Sequence, residues 1–533
     1  MESLLSYKCF RQNKAQEDSM DLFIQKYHKK VTGVLSGFDR LVLKGSIRFL
    51  SYTAGMMNFL YGMGVLLKDF GEYVERTTEQ LRVASYEVAQ RLERPNIYLQ
   101  SPKRSKELLA KQIMHKDKIT DGLICLLRCV EPCISYKTRG DRNTKKLILE
   151  AKQRRCLHIY HYWVDPVFGF MSARIQTWFP FTIYICLNGR EWLSRQMDVV
   201  GMKYKRIDNC FTWIEDVDEA QRLMNEQPKF QWTPELDLVA LKLNPAHDEI
   251  FQQYELNYYW SVHQSEWASD IMFKSPQALS EIYPQLVQGA MSSFSAPDIM
   301  RFLGRKPHGN FQGEVISDYK KRVEGIRVKH RVGTNSVKMY DKEGQNLRLE
   351  TTINDPKGFK VFRPLEGNPQ GTCEWREMRK GIADLPRRAQ VSQASNVRYA
   401  NALASLNTDS PISKLVDPVC RPVVWNGGRM RALRPWSEED QLLIQIVNRG
   451  EFAVNGFRNR DLFRHLFPDA TLSIEEKRRA AARVTRKLRL LRAHGIIRKV
   501  LKTHRYVFTK KGREIATAIL EYQNVSLDQL KAA

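Results

Sequence analysis

Hydrophobic and polar positions follow different periods in different parts of this chain. Near the C-terminus, Val484, Leu488 and Leu491 recur at helical spacing, so the pattern predicts a helix over residues 473–494. Further upstream, short β-branched and aromatic runs alternate with polar residues and predict strands. No run of about twenty apolar residues occurs, which predicts no membrane span. The two periods together predict an α+β multidomain protein with a mixed β-sheet core.

The C-terminal region has an order of elements that is typical of a winged helix-turn-helix. Helices are predicted over 437–447 and 458–467, followed by the 473–494 helix, two short strands and a last helix. Ser473 is placed to cap the third helix, and Gly495 is placed to end it. In such a fold the third helix enters the major groove and the hairpin lies along phosphates.

The same region is strongly basic. Residues 473–513 carry fifteen Lys or Arg against Glu475 and Glu476 alone. At about 100° per residue, the arginines of the third helix fall opposite its apolar side. A protein-binding helix, or a merely solvated basic face, would show the same pattern. The residues predicted to bind nucleic acid here are Arg479, Arg483, Arg486, Arg489, Lys499, Lys502 and Arg505.

A different pattern occupies the middle of the chain, where a β-β-β-α-β-α order is predicted. This is the order of a ribonuclease H-like core, although other α+β sandwiches share it. The predicted strands cover 156–164, 170–178, 181–187 and 204–214, and the helices cover 190–200 and 218–225.

Residues 258–273 form an aromatic, acid-bearing segment that we interpret as a helix. On a helix, His263, Glu266 and Asp270 stand at i, i+3 and i+7 and share one face. Two carboxylates four residues apart repel each other unless a cation or metal lies between them. Metal-dependent nucleases hold Mg²⁺ through such groups, so Glu266 and Asp270 are candidate catalytic metal ligands. The alternative is an acidic face paired with lysines and arginines.

A metal site of this kind needs a third ligand, and two acids are candidates. Asp208 lies on the strand predicted after the first helix of the β-β-β-α-β-α region. Asp39 lies between the β-prone runs 31–35 and 41–43, in a predicted tight turn or at a strand edge. The alternative for each is a structural role, which is the more frequent one for such residues.

Residues 322–363 predict a β-meander with strands over 325–331, 336–342 and 347–354. Alternation places most of its cations on one face, which we expect to be exposed and to bind nucleic acid through Lys329, Lys338 and Arg348. Tyr340 lies among these cations, which would stabilise a phenolate and bind the phosphate that it attacked. The alternative is a tyrosine that stacks on a base or packs against its neighbours.

The composition indicates which kind of partner the protein binds and in which cellular compartment it works. The 533 residues carry a net charge of +26 and a pI near 9.6, which indicates a polyanion such as DNA or RNA. The nine cysteines include no C-x-x-C pair, which favours reduced thiols over a zinc site. The first residues lack the apolar core of a signal peptide. We therefore expect a cytoplasmic, nucleoid-associated protein, whose oligomeric state the sequence leaves open.

Composition shifts and turn signals suggest six consecutive regions. Residues 137–155, which hold eight Lys or Arg against two acids, are interpreted as an exposed basic connector. The regions are a mostly helical 1–150, an α/β core over 151–235, a helical 236–320, the meander over 321–370, a connector over 371–435 and the winged helix over 436–533.

Several segments resemble a large group of bacterial proteins that are often labelled MarR-like, apparently because of a winged helix. Members of the group tend to occur in several copies per genome, which implies a mobile-element character. The basic charge and the C-terminal winged helix predict a protein that acts on DNA, with a structured RNA as a second expected partner. The resemblance implies no catalytic residues. A Mg²⁺-dependent nuclease or strand-transfer activity is the leading enzymatic hypothesis, and a non-catalytic DNA- or RNA-binding regulator is its rival. The segments are Thr177–Phe181, Asn188–Leu193, Phe302–Lys306, Asn335–Lys342 and Leu347–Asp355.

Overall fold

A computed structural model of the protein divides it into two compact units. The sheet unit comprises Lys30–Pro276 and Thr334–Asn396. The terminal unit comprises Met1–Lys29, Gln277–Gly333 and Val397–Ala533, as far as their residues are described. Each unit therefore joins segments that are far apart in the sequence. The described residues are 20–251, 254–305, 314–322, 325–365, 368, 370–406, 415–449, 452, 456–467, 473–500 and 503–523.

Strands account for much of the sheet unit and for short hairpins elsewhere. In chain order they are β1 (Val31–Ser46), β2 (Asn96–Tyr98), β3 (Gly122–Gly140), β4 (Leu147–Asp165), β5 (Gly169–Gln176), β6 (Ile183–Asn188), β7 (Tyr204–Ile207), β8 (Cys210–Ile214), β9 (Tyr259–Phe273), β10 (Val315–Arg322), β11 (Gly325–Val332), β12 (Asn335–Lys342), β13 (Asn346–Ile353), β14 (Lys360–Arg363), β15 (Glu374–Glu377), β16 (Val423–Trp425), β17 (Gly428–Met430), β18 (Ile497–Lys499) and β19 (Tyr506–Phe508).

Helices connect and cover these strands. In chain order they are α1 (Asp21–Tyr27), α2 (Thr53–Gly62), α3 (Phe70–Arg91), α4 (Lys106–Lys116), α5 (Gly189–Val199), α6 (Val217–Met224), α7 (Trp232–Leu243), α8 (His247–Ile250), α9 (Pro276–Ser280), α10 (Tyr283–Ser292), α11 (Ala296–Phe302), α12 (Leu385–Ala404), α13 (Glu438–Val447), α14 (Asn459–Leu466), α15 (Ile474–Ala493) and α16 (Lys510–Gln523).

The sheet unit is built on one large mixed sheet, which confirms the α+β class. Within this unit the strand order is β12-β13-β9-β1-β6-β5-β4-β3-β2. Neighbouring strands are antiparallel, except that β2 and β3 are parallel. Apolar residues of α2, α3 and α7, such as Phe59, Leu81 and Leu236, join those of the sheet in one buried core. The two strands that matter most for the site, β9 and β1, lie side by side inside the sheet.

Three strands replace elements that the sequence predicted differently. β1 is a single strand of 16 residues, so Asp39 lies within a strand and not in a turn between two short ones. β9 covers the segment predicted as a helix, because it pairs with β1 on one side and β13 on the other. β3 likewise lies in the region 1–150 that was predicted to be mostly helical. Short apolar runs fit both periods, and only pairing with distant strands decides between them.

Residues 137–155, predicted as a connector, instead form the outer part of a long hairpin. β3 and β4 pair continuously from Glu131 opposite Cys156 to Gly140 opposite Leu147. Residues 141–146 make the turn at its tip. An exposed strand has few apolar residues, so its sequence looks like that of a solvated loop. These two strands were therefore not predicted. The basic charge of this stretch is therefore carried on a β-hairpin.

The predicted β-β-β-α-β-α elements occur in part. β4, β5, β6, α5 and α6 follow in the expected order. The single strand predicted between the helices is instead the hairpin of β7 and β8, which forms a two-stranded sheet of its own. Its turn contains Asp208, whose φ of 49° is in the left-handed region. The strand after the helix is therefore not part of the large sheet.

In the terminal unit, the elements predicted near the C-terminus are present as α13, α14, α15, the β18–β19 hairpin and α16. Apolar residues of these elements, among them Leu443, Leu462 and Leu488, share one buried core. Ser473 caps α15 in a capping box with Glu476, and Gly495 follows the helix with a φ of 69°. The same unit holds the β10–β11 hairpin. Within the described ranges, no helix has the length and apolar character needed to cross a bilayer.

Candidate functional site

Three carboxylates from three neighbouring strands converge on one face of the large sheet. Asp39 comes from β1, Glu266 from β9 and Glu350 from β13. One oxygen from each lies within 4.8 Å of the others. Asp39 and Glu350 are buried, and Glu266 is half-buried. We refer to these three residues as the acid cluster.

Strand register explains how the acid cluster forms. Phe38 pairs with Trp267 and Arg40 pairs with Glu266, so Asp39 is the additional residue of a β-bulge in β1. Bulges redirect a side chain locally and are frequent beside active sites. On the other side of β9, Glu350 pairs with Ala268, two residues from Glu266. Because alternate residues of a strand share a face, both glutamates lie on the same side of the sheet.

Two cations and two neutral groups surround the acid cluster. The Lys338 ammonium donates to Oε1 of Glu350 and lies 3.8 Å from Oε1 of Glu266. Nη1 of Arg348 lies 3.3 Å from Oδ1 of Asp39. The Tyr340 hydroxyl donates to Oε2 of Glu350 at 2.8 Å. Every carboxylate of the cluster therefore has at least one cation or donor that limits its orientation.

Asn209, from the β7–β8 turn, binds Asp39 as well. Its Nδ2 donates to both carboxylate oxygens of Asp39, at 3.0 and 3.1 Å. Its carbonyl oxygen accepts from Nη2 of Arg348 at 2.7 Å. The hairpin outside the large sheet thus positions two residues of the site at once.

A fourth carboxylate, Asp270, is fully occupied by two buried arginines. Nε and Nη2 of Arg348 donate to its two oxygens at 2.5 and 2.9 Å, and Nη2 of Arg190 donates at 2.9 Å. Arg190 reaches this position because α5 begins against β1. A Cβ on Gly189 would lie 1.7 Å from the carbonyl oxygen of Phe38, so this close approach requires glycine.

Of the four carboxylates, two have a raised pKa and two have a lowered pKa. Burial, opposed by Arg348 and Arg190, raises the pKa of Asp39. Burial and the charge of Glu350 raise the pKa of Glu266. Burial would also raise the pKa values of Glu350 and Asp270, but Lys338 lowers the first and the two arginines lower the second. Asp39 and Glu266 are therefore the carboxylates whose charge is least compensated.

The acid cluster could hold a metal ion. Its donors are carboxylate oxygens without histidine or cysteine, which suits a hard divalent cation. Lys338, Arg348 and Arg190 contact the four carboxylates, and the charge of exposed Arg40 also lowers the pKa of Glu266. Burial is the largest cause of the raised pKa values of Asp39 and Glu266, and the charge of Glu350 adds to it at both residues. A bound cation would offset both effects.

The structure separates the four acids that the sequence proposed as catalytic or metal-binding. Glu266 and Asp39 belong to the acid cluster. Asp270 lies outside it, since its oxygens are bound by arginines. Asp208 lies in an exposed turn, 2.9 Å from the Lys111 ammonium, with 58% of its side chain exposed. His263, predicted on the same helix face, is an exposed residue of β9 beside the Tyr184 ring, at 5.0 Å between centroids.

The prediction that the cationic face of the meander is exposed is wrong for β12 and β13. All eight residues of β13 are buried, including Arg348, and Lys338 is 9% exposed. Alternation was predicted correctly, but these cations pair with acids of β9 and β13 instead of meeting solvent. Lys329 lies on β11 in the terminal unit and is half-buried.

The structure also argues against a nucleophilic Tyr340. Tyr340 is half-buried and its hydroxyl donates to Glu350. Burial and the charge of Glu350 raise the pKa of Tyr340 well above its ordinary value of 10. A phenolate nucleophile needs the opposite shift. The residue instead orients Glu350.

The predicted nucleic-acid contacts in the terminal unit are largely solvent-exposed. Arg479, Arg483, Arg486 and Arg489 of α15 are all exposed, opposite buried Val484, Leu488 and Leu491. Lys499 is exposed and Arg505 is half-buried. Lys502 lies outside the described residues.

Two site residues were not predicted from the sequence. Neither Glu350 nor Asn209 was singled out as a candidate. Alternation along β13 already placed Glu350 on the face of Lys338 and Arg348. What the pattern lacked was the identity of the neighbouring strand, which is β9 with Glu266.

Comparisons with known proteins return nothing for this chain. No family model matches it, and neither does any curated protein or solved structure. The resemblance to the multi-copy bacterial group therefore stays a hypothesis.

Proposed function

We propose that this protein binds nucleic acid and cleaves or transfers its strands with Mg²⁺ held by Asp39, Glu266 and Glu350. The observation that carries the proposal is the approach of these three carboxylates to within 4.8 Å on adjacent strands. Mg²⁺ binds carboxylate oxygens and can stabilise charge on a phosphoryl group. The mobile-element character implied by the resemblance is part of the same hypothesis.

Surrounding residues would have supporting roles at such a site. Asn209 and Arg348 would orient Asp39, and Lys338 and Tyr340 would orient Glu350. The metal, when bound, would supply a Lewis acid for phosphate oxygens. Glu266 is the half-buried member of the cluster, which leaves this side of the site open to a ligand.

Nucleic acid is the substrate class that the charge of the chain supports. The net charge is +26, and α15 exposes a row of arginines. The elements of residues 436–523 support a winged helix that docks on duplex DNA. The β3–β4 hairpin adds exposed cations in the sheet unit, among them Lys137, Arg139 and Lys152. DNA is the proposed partner, and a structured RNA is a second one.

The rival proposal is a DNA- or RNA-binding regulator without catalysis. It is favoured by the contacts of Lys338 and Arg348, which give each member of the acid cluster a cation without any metal. On this alternative the cluster is a buried ionic network that specifies strand pairing. The two proposals differ in whether the cluster takes up a divalent cation.

Metal binding and cleavage separate these proposals. Full-length protein is titrated with Mn²⁺ as a Mg²⁺ substitute, and cleavage of single-stranded DNA, duplex DNA and RNA is followed with Mg²⁺, Mn²⁺ or a chelator. Glu266→Gln and Asp39→Asn should weaken Mn²⁺ binding and abolish cleavage, while nucleic-acid binding persists. Tyr340→Phe should still cut.

Asp208→Asn is the matched control, since it removes an exposed carboxylate of the same unit that lies outside the cluster. It should leave both Mn²⁺ binding and cleavage unchanged. A folded wild-type protein that binds nucleic acid but takes up no Mn²⁺ and cuts no substrate would establish the regulator instead.

A further inference from the structure

A second polar group lies on the sheet face that carries the acid cluster. Strand pairing places Lys44 of β1 opposite Tyr184 of β6, and Tyr184 opposite Arg174 of β5. Directly paired residues share a face, so the three side chains form a row across the sheet. His263, from a register shift in β9, adds its ring beside Tyr184.

The Tyr184 ring is the centre of this group. The Arg174 guanidinium carbon lies 4.5 Å from the ring centroid and the Lys44 ammonium lies 6.0 Å from it. The His263 ring stands nearly perpendicular to it, at 81° and a centroid distance of 5.0 Å. Tyr184 is half-buried and His263 is exposed, so solvent reaches the group. It combines an aromatic ring with cations that can meet phosphate.

Cations in this group outnumber acids. Lys380 contributes a further ammonium. Its backbone carbonyl oxygen accepts a hydrogen bond from the amide of Val262 in β9. In the described part of the chain, neither Lys44 nor Lys380 forms an ion pair with a carboxylate. Arg174 does pair, with Glu131 at 3.0 Å. Among the described residues, Lys44 beside the Tyr184 ring and Lys380, whose charge acts on Lys44 and His263, therefore have no acidic partner.

The electrostatics agree with a site that lacks an anion. Burial and the charge of Lys380 lower the pKa of Lys44. Loss of hydration, together with Lys380, Lys44 and Arg174, lowers the pKa of His263. A phosphate placed among these groups would relieve their mutual repulsion.

We propose that Tyr184, Lys44 and Lys380 form a binding site for single-stranded nucleic acid, in which Tyr184 stacks on an unpaired base and the lysines bind its phosphates. Stacking platforms flanked by cations are the usual means of holding single strands. A paired base presents its faces to its neighbours in the duplex, so only an unpaired base can stack on a half-buried ring.

The site would deliver a strand to the acid cluster, and this part rests on the proposed function. Arg40 pairs with Glu266 and is exposed, and Lys44 lies four residues further along the same strand. At about 3.3 Å per residue, that separation is roughly 13 Å. A strand stacked on Tyr184 would thus run past Arg40 towards the acid cluster.

Binding of a labelled oligothymidine of about 12 nucleotides to the full-length chain, in chelator, tests the site without any cleavage. Tyr184→Leu should weaken binding about tenfold, whereas Tyr184→Phe should stay within about twofold because the ring is kept. Removing Lys44 and Lys380 together should lower the log–log salt slope by about 1.4. Tyr98→Leu is the matched control, as Tyr98 is an exposed tyrosine near Arg128 at the other end of the sheet.

Unchanged affinity in a folded Tyr184→Leu variant would overturn the site. An equal loss for duplex and single strand would overturn the role of an unpaired base. If Tyr184→Leu fails to fold, the double lysine variant decides through its salt slope. If the wild-type protein cuts no substrate but its oligonucleotide binding still depends on Tyr184, the metal site is wrong and this inference stands.

Discussion

Arginines and lysines in two regions of this protein have opposite surroundings. In the sheet unit, Arg348 is fully buried and Lys338 nearly so, and both pair with carboxylates. In the terminal unit, the four arginines of α15 are exposed, and Arg479 has only a distant partner in Glu475 at 3.6 Å. The first group binds acids of its own chain, and the second can exchange its counterions for phosphates. A count of cations therefore does not measure capacity to bind nucleic acid.

The difference arises from what each element meets in the fold. α15 needs one apolar side for its core, and its other side remains in water. β13 has neighbours on both edges and is covered on both faces, so its cation Arg348 must have partners. β9 supplies one partner in Asp270, and β1 supplies the other in Asp39. The same residue types thus act as an internal support in one region and as a surface in the other.

The strongest test of the comparison is Arg348→Met set against Arg486→Met. Loss of Arg348 leaves Asp270 and Asp39 with less compensation inside the sheet. We expect the free energy of unfolding to fall by about 3–5 kcal/mol. Arg486 is exposed, so its substitution should change the same quantity by less than about 0.5 kcal/mol. Urea unfolding measures both, and equal small losses would contradict the contrast.

Nucleic-acid binding should show the reverse dependence. Changing Arg479, Arg483, Arg486 and Arg489 together to Ala should weaken duplex binding and lower the log–log salt slope by up to about 3.6. Stability should stay close to that of the wild type. The control removes exposed cations that each pair with an acid three residues away, namely Arg222, Lys229 and Arg301. An unchanged slope in the first variant would show that exposure alone does not make a binding surface.

Substitution of Glu266 or Glu350 by Gln should have smaller effects, and these should shift the melting temperature in opposite directions. The folded-state pKa of Glu266 is raised above its ordinary 4.5, so its stabilising effect is present below that value and is lost as the pH rises through the folded pKa. Glu266→Gln should therefore raise the melting temperature at neutral pH. The pKa of Glu350 is lowered, so its stabilisation is present above 4.5 and is lost on acidification.

Glu350→Gln should accordingly lower the melting temperature at neutral pH, and the two variants should converge as the pH falls below 4.5. Thermal melts across this range, without added metal, provide the measurement. Shifts of the same sign in both variants at neutral pH would show that the two glutamates are not compensated differently.

Local signals predicted the elements of the C-terminal region well and those of the sheet unit only in part. Ser473 and Gly495 mark the ends of α15 because capping depends on neighbouring residues. Glu266 and Asp270 were expected to share a face, and they do, since residues four apart share a face in a strand as well as in a helix. The prediction of a helix over residues 258–273 was nevertheless wrong, because Tyr259–Phe273 form β9. Its partners β1 and β13 are distant in sequence, so no local pattern could identify them.

By itself, the sequence determined the +26 charge, the helices and caps of the C-terminal region and the alternation along the meander. These depend on composition and on residues a few positions apart. Tertiary structure alone decided that Asp39, Glu266 and Glu350 meet, because strand order and register set that contact. It also decided that Arg348 is buried while Arg486 is exposed. Burial depends on what covers a surface, and those covering elements come from elsewhere in the chain.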